Sequence, residues 1–368
     1  MSHPELPPID VGDREQRVSQ ALGMHDVDAL LITSPTNIRW LTGFAGSAGT
    51  VLVHDGEITL FTDSRYTDRA PGELADVASS ADIVIARATL GAEVRELAGR
   101  AEVVGLEADH VTWAQQQLIE QDWLPKQTLV PTSALVDGLR SRKDDAEIAR
   151  IQAAAGIVDI ALAKVSPLLA ERLTERDFAR ELNAAIRSGG ADDLGFDTIV
   201  ASGPNGAIPH HSPTGRVIEA GDLVIVDVGA MVQGYRSDMT RTFCVGAMTS
   251  HQRRHYETVI AAQQAGVEAM VDGAGTAQVD AAARAVIEDA GWGDQFTHGT
   301  GHGIGLDVHE LPRVAKGVPD IYEIGTVATV EPGVYLRGDA GVRIEDTCVV
   351  TANGARRLTG APKAPEIV

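Results

Sequence analysis

The sequence predicts an α+β protein of two domains, and three observations carry that reading. Its 368 residues exceed the roughly 100–200 that one domain holds. Up to about residue 140, helical and strand patterns alternate, as in a compact α/β domain. From residue 141 the order helix, helix, strands runs once and recurs about 105 residues later, which predicts an internally pseudo-symmetric domain with two half-sites facing one another. Residue identity between the halves is weak, so this is a duplication of topology.

The elements follow in order. Residues 13–23 read as a helix and "DALLITS" as a short strand. "TVLVHDGEITLFT" places two β-rich runs around Asp55-Gly56, a favoured two-residue hairpin turn. The strand "DIVIARA", a helix near 91–99, the strand "AEVVGLEA" and a helix near 111–121 complete domain 1–140. The boundary falls in the charge-rich "LVDGLRSRKDDAEI". Domain 141–368 opens on an amphipathic helix through Ile148, Ile151, Ala155, Val158 and Ala161. Thr174 starts a second helix, with Asp177 at the capping-box position and Gly189-Gly190 at its end. Strands "FDTIVASG", "DLVIVDVG" and "DMTRTFCVG" follow. Then come helices over about 251–271 and from a cap at Thr276 to about 290, and strands "TVATVEPG" and "GVRIEDTCVV".

Composition narrows the function classes. A net charge of -21 disfavours nucleic acid and anionic membranes as partners, because both need a basic face. No apolar run approaches 18 residues, so no membrane span is expected. The start, "MSHPELPPIDVGDREQR", is polar and does not read as a signal peptide. Cys244 and Cys348 sit in strand-like contexts as buried free thiols, which fits a reducing compartment and a cytoplasmic location.

Four acidic residues end hydrophobic strands: Asp227 after "LVIV", Asp238 in "SDMTRT", Glu331 after "VATV" and Glu345 in "GVRIED". A hairpin around "GAMVQG" brings Asp227 and Asp238 onto neighbouring strands. Alternation sets Val342 and Ile344 on one face, Arg343 and Glu345 on the other. Singly, each acid has a milder explanation as a turn cap or the partner of an arginine. Together they cannot share a core uncompensated, since like charges at contact force some to take up protons. Two divalent cations would neutralise them. Oxygen-rich ligation with one imidazole suits Mn²⁺, with Co²⁺, Zn²⁺ or Fe²⁺ as alternatives. Two such ions about 3.5–4 Å apart can activate a shared water.

The imidazole lies in "FTHGTGHGIGLDVHE", which holds His298, His302 and His309 among alternate glycines. The glycines exclude a helical zinc site and predict a turning loop in which backbone passes close to something bound.

With these residues in view, the sequence resembles the pita-bread metallopeptidases, in particular the prolidase and aminopeptidase P branch. "VDVG", "SDMTRT", "HGTGHGIGLDVHE", "EPGVY" and "GVRIED" carry the likeness over 143–360, and "SPTNIRWLTGFAGSAG" and "FTDSRY" extend it to a creatinase-like N-terminal domain. The resemblance implies metal ligands Asp227, Asp238, His302, Glu331 and Glu345, with Asp238 and Glu345 bridging two ions. It implies Glu331 as proton shuttle for a bridging water, His309 facing the scissile carbonyl, and His210 as the other substrate-facing imidazole. His298 stands behind the ligands or faces substrate, and Arg343 braces the bridging carboxylates. His211 is read as an ordinary loop histidine.

The implied reaction is hydrolysis of Xaa-Pro peptide bonds, so the expected partner is a peptide with proline second. Arg313, in "HELPRV", is placed to meet the free carboxylate of a dipeptide, which leans the reading toward an Xaa-Pro dipeptidase. Aminopeptidase P action on longer peptides and a non-catalytic metal-binding member are the alternatives. Methionine aminopeptidases share the ligands without the N-terminal domain, and creatinase shares the fold without the ligands. The family forms homodimers in which the N-terminal domain reaches the partner's site. That makes Trp40 or Arg39 candidates to line it, against packing of Trp40 within its own domain.

Overall fold

The computed structural model describes residues 6–87 and 89–367. Residues 1–5, the start of the stretch read above as no signal peptide, lie outside them. Two compact units result, Pro8–Arg140 and residues 141–367, with Leu6 and Pro7 belonging to the second.

The first unit runs α1 (Gly12–Met24), β1 (Ala29–Ile32), α2 (Pro35–Thr42), β2 (Gly49–His54), β3 (Glu57–Thr62), α3 (Ala70–Ala75), β4 (Asp82–Ile85), α4 (Leu90–Leu97), β5 (Val103–Glu107), α5 (Trp113–Leu118), β6 (Thr128–Thr132) and α6 (Leu135–Arg140). The strands form one sheet in the order β4-β3-β2-β1-β5-β6. The β2–β3 turn takes Asp55 to φ 52° and Gly56 to φ 80°, the two positive φ values its hairpin needs. Leu31, Phe61, Val94, Val104 and Leu106 fill the core against this sheet. Trp40 is 1% exposed, with the guanidinium groups of Arg14 and Arg17 5.2 and 5.6 Å from its ring centroid. It therefore packs inside its own unit.

In the second unit α7 (Asp145–Val165) and α8 (Glu175–Ser188) precede β7 (Asp193–Leu194), β8 (Ile199–Ser202), β9 (Leu223–Val228), β10 (Ala230–Val232), β11 (Tyr235–Arg236) and β12 (Met239–Val245). Then α9 (Ser250–Ala269) and α10 (Thr276–Asp289) precede β13 (Gly301–Gly303), β14 (Glu310–Val314), β15 (Val327–Val330), β16 (Gly333–Leu336), β17 (Ala340–Arg343), β18 (Asp346–Thr351), β19 (Gly354–Arg357) and β20 (Glu366–Ile367). Matching elements start at 145 and 250, 175 and 276, 223 and 327, 239 and 346, so the expected repeat of topology is present. Each half buries a helix pair on a sheet. Val158, Leu162, Phe178 and Leu182 pack on Val224 and Val226, while Val267 and Val279 pack on Ala328, Val330 and Cys348. Both cysteines are buried and free.

Two expectations change. The cap of α10 is Gly275, with Thr276 the first helical residue and buried. The helical stretch Asp145–Glu171 is long and apolar enough to cross a membrane, counter to the run-length reading, because alanines carry its hydropathy across scattered charges. Its Ala154, Val158, Ala161, Leu162, Val165 and Leu169 are committed to the core, as in a soluble core helix.

Glu175, the first residue of α8, fixes the loop that follows β8. Its fully buried carboxylate accepts hydrogen bonds from the Ser202 amide and hydroxyl, Asn205 Nδ2, His211 Nε2, and the Thr214 amide and hydroxyl, at 2.7–3.2 Å. His211 is thus a tether of this loop rather than an ordinary loop histidine. Burial alone would raise the Glu175 pKa, but the donated bonds, Thr214's foremost, outweigh it and bring it down from 4.5 to about 2. A depressed carboxylate contributes stability that is fully present above the unfolded pKa and is lost as pH falls from about 4.5 toward 2. Glu175→Gln is expected to cost about 3 kcal/mol at pH 7. In urea denaturation series the gap to the native chain should narrow below pH 4.5, and a pH-independent gap would contradict this account.

Candidate metal centre and active site

β9 and β12 are antiparallel with Asp227 opposite Thr240, so Asp238, two residues before Thr240, arrives beside Asp227 as the sequence implied. The apolar run Leu223–Val226 buries the start of β9 and leaves Asp227 at its end, facing a cavity of about 520 Å³. On the other half, β15 and β18 are antiparallel, and Glu331 and Glu345 lie just outside their paired ends Val330 and Asp346. His210, Asp227, Asp238, His298, His302, His309, Arg313, Glu331, Arg343 and Glu345 all line this one cavity.

Ligand atoms of Asp238, His302 and Glu345 lie within 4.8 Å of one another. His302 Nε2 is 3.4 Å from Glu331 Oε1 and 3.7 Å from Asp238 Oδ2. His302 Nδ1 donates to the Gly303 carbonyl at 3.0 Å, which leaves Nε2 unprotonated and turned toward the carboxylates. Asp238 and Glu345 are 5% and 1% exposed. Burial, then the neighbouring charge of Glu345, Asp227 and Glu331, pushes the Asp238 pKa well above the usual carboxylate range. Burial, then Glu331 and Asp227, does the same to Glu345, and burial raises Glu331. Burial lowers the pKa of His298, His302 and His309, which favours the neutral imidazole in each.

The decisive feature is a set of orphans. Asp227 Oδ1, Asp238 Oδ1 and Glu345 Oε1 are buried and accept no hydrogen bond. Buried carboxylate oxygens without donors are rare and costly. Those of Asp238 and Glu345 converge beside an unprotonated imidazole nitrogen, with Asp227 on the same cavity outside that cluster, and such a set fits divalent cations.

Several side chains that sequence reasoning missed order this set. The Thr240 hydroxyl donates to Glu345 Oε2 at 2.7 Å and accepts from Arg343 Nε at 3.2 Å. Thr347 donates to the Asp238 carbonyl at 2.7 Å, and the Thr329 hydroxyl accepts from the His302 amide at 3.2 Å. Threonines on β-strands are too common for sequence alone to single these out. Arg343 Nη2 donates to Asp227 Oδ2 at 2.6 Å and its Nη1 to the Tyr335 hydroxyl at 3.0 Å, while Thr240 connects it to Glu345. His298 donates from Nδ1 to the Gly299 carbonyl and accepts at Nε2 from the Tyr335 hydroxyl at 2.8 Å. Both its ring nitrogens are thereby occupied by protein. His309 stacks edge-on to His302, ring centroids 4.4 Å apart, and His210 is exposed at the cavity wall. Arg313 is paired with His302 across β13 and β14, is exposed, and makes no side-chain ion pair among the described residues.

The expected loop is interrupted by a short strand. Gly301 to Gly303 form β13 between β14 and β15, and the chain then bends through 305–309. A Cβ on Gly301 would lie 2.0 Å from the Thr329 carbonyl oxygen, and one on Gly303 2.0 Å from that of Leu311. Neighbouring backbone, not a ligand, excludes the side chains. Gly301→Ala is expected to destabilise the protein by about 2–3 kcal/mol and to displace His302. Denaturant midpoints and divalent-ion affinity should fall together, and an unchanged midpoint would refute the close-approach argument.

Comparison with known proteins agrees with this geometry. Residues 149–352 match Metallopeptidase family M24, and residues 14–142 match the Creatinase/Prolidase N-terminal domain. The chain is 34% identical to the Xaa-Pro dipeptidase of Pyrococcus furiosus over 348 residues, 94% of this chain and 97% of that one. The solved Xaa-Pro dipeptidase from Bacillus anthracis superposes with a TM-score of 0.93 at 34% identity, covering 98% of this chain and all of that one. The X-Pro aminopeptidase from Thermotoga maritima gives 0.85 at 29%, covering 95% and 100%. A creatinase-type domain followed in sequence by a pseudo-symmetric pita-bread domain with converging carboxylates is thus what this sequence encodes, and the chain belongs to metallopeptidase family M24.

Proposed function

We propose that the chain hydrolyses Xaa-Pro dipeptides, with Asp227, Asp238, His302, Glu331 and Glu345 holding two divalent ions. The observation that carries the reading is the convergence of the orphaned Asp238 and Glu345 carboxylates with His302, with the orphaned Asp227 Oδ1 and with Glu331 lining the same cavity. When bound, the ions supply Lewis acidity and lower the pKa of a shared water. The remaining work falls to side chains. Glu331, at the cavity wall against His302, holds the proton that leaves the water and returns it to the proline nitrogen. His309 and His210 bracket the space for the substrate carbonyl and donate to its developing oxyanion. Arg343 steadies Asp227, and Tyr335 steadies Arg343 and His298. The bond before proline is a tertiary amide with no N–H to recognise, and attack at its carbonyl by an activated water needs none.

The lean to dipeptides rests on Arg313, a guanidinium in the cavity lining without a carboxylate partner among the described residues. It is placed to bind the substrate's free C-terminal carboxylate. Similarity to the Thermotoga maritima X-Pro aminopeptidase keeps hydrolysis of longer Xaa-Pro peptides as the second reading. An oxygen-rich set with one imidazole favours Mn²⁺. The resemblance supports a homodimer, and buried free thiols support a cytoplasmic setting.

Purified protein should release proline from an Xaa-Pro dipeptide in the presence of Mn²⁺ and lose that activity on chelation. Metal binding without hydrolysis of any Xaa-Pro peptide would favour a non-catalytic role instead. Arg313→Ala should raise KM for the dipeptide about tenfold while sparing a matched tripeptide. Equal effects on both substrates would shift the assignment to the aminopeptidase.

A further inference from the structure

We infer that Asp280 and Arg284, one turn apart on α10, form a positioning clamp for the segment that carries His298 and His302. Asp280 is 1% exposed, and its carboxylate accepts Arg284 Nε at 3.0 Å and Nη2 at 2.9 Å. The pair is bidentate, so the guanidinium has one orientation. In that orientation Nη1 donates to the Phe296 carbonyl at 3.0 Å and Nη2 to the His298 carbonyl at 2.9 Å. The Arg284 guanidinium carbon also lies 4.1 Å from the centroid of the Phe296 ring, and that ring meets His298 edge-on at 5.2 Å. Asp280 Oδ1 additionally accepts the Thr300 hydroxyl at 2.8 Å.

Thr300 links the clamp to the strands on either side of β13. Its carbonyl accepts the Glu331 amide at 2.7 Å, and its amide donates to the Val314 carbonyl at 2.7 Å. One helix-borne ion pair therefore sets the height of the strand two residues before His302 and anchors the backbone of Glu331. Neither Asp280 nor Arg284 lines the cavity, so they act through the residues they hold. A ligand shifted by a fraction of an ångström changes affinity and turnover more than it changes overall stability.

The inference rests on the proposed peptidase reading only for its activity readout, and the full-length Arg284→Lys variant tests it. Lysine keeps a cation beside Asp280 but cannot span the carboxylate and both carbonyls. With Mn²⁺ alone, calorimetry should give an affinity about tenfold weaker than that of the native chain, and kcat on an Xaa-Pro dipeptide should fall about tenfold with KM within about threefold. Thr300→Val, which removes one arm, should show the same direction with smaller size. Native-like Mn²⁺ affinity and kcat in Arg284→Lys, well below its melting temperature, overturn the clamp whatever the melting temperature does. If the native chain hydrolyses no Xaa-Pro peptide, the peptidase reading falls, and the Mn²⁺ affinity of Arg284→Lys alone decides the clamp.

Discussion

The mutual repulsion of buried carboxylates governs this structure. Two like charges 4 Å apart at a protein-like effective dielectric oppose one another by about 4 kcal/mol, and desolvation adds to that. Asp227, Asp238, Glu331 and Glu345 face one cavity under these terms. Only neutralisation makes the arrangement tolerable, by protons in the bare protein or by metal ions in the loaded one. The two halves of the pseudo-symmetric unit each deliver a strand pair whose apolar run ends at the cavity, so the fold is what forces the acids together.

Glu345 and its neighbour Asp346 display the principle side by side. They project to opposite faces of the same chain. Asp346 is fully buried and surrounded by cations, with Arg241, Lys363 and Arg357 at 2.8, 2.7 and 3.2 Å. Burial would raise its pKa, yet Arg241 and Lys363 hold it below the usual range. Glu345, facing the cavity, has the Thr240 hydroxyl on one oxygen and nothing on the other. Positive charge surrounds the carboxylate that serves as a fixed joint and stays off the one that faces the cavity. Arg343 marks the border, bonding Asp227 on one oxygen while leaving the other open.

Much of this was readable from the chain. Apolar strands ending in acids stand out because a lone carboxylate at such a place needs a reason, and several need a shared one. The helix pairs and the duplicated order were legible from periodicity and from the cap formed by Thr174 with Asp177. What stayed hidden was long-range and ordinary in type. Thr240, Thr347, Asp280 and Arg284 are residues found on any strand or helix, and their importance arises only when elements distant in sequence meet. The glycines misled for a related reason. Their spacing was plain, but whether a glycine makes room for a turn, a ligand or an adjacent strand depends on neighbours that local sequence does not name.

The way residues 359–367 are fastened has a bearing on how the protein is made. β20 lies along β12, with Cys244 opposite Glu366, while Arg241 reaches across to the Ala361 carbonyl and Lys363 grips Asp346. The strand that follows Asp238 is therefore unfinished until this segment arrives. A nascent chain emerging from the ribosome exposes the first two acids long before Glu345 and its fastening are available. The centre is therefore among the last features to form, because it needs β12, β18 and the 359–367 segment together.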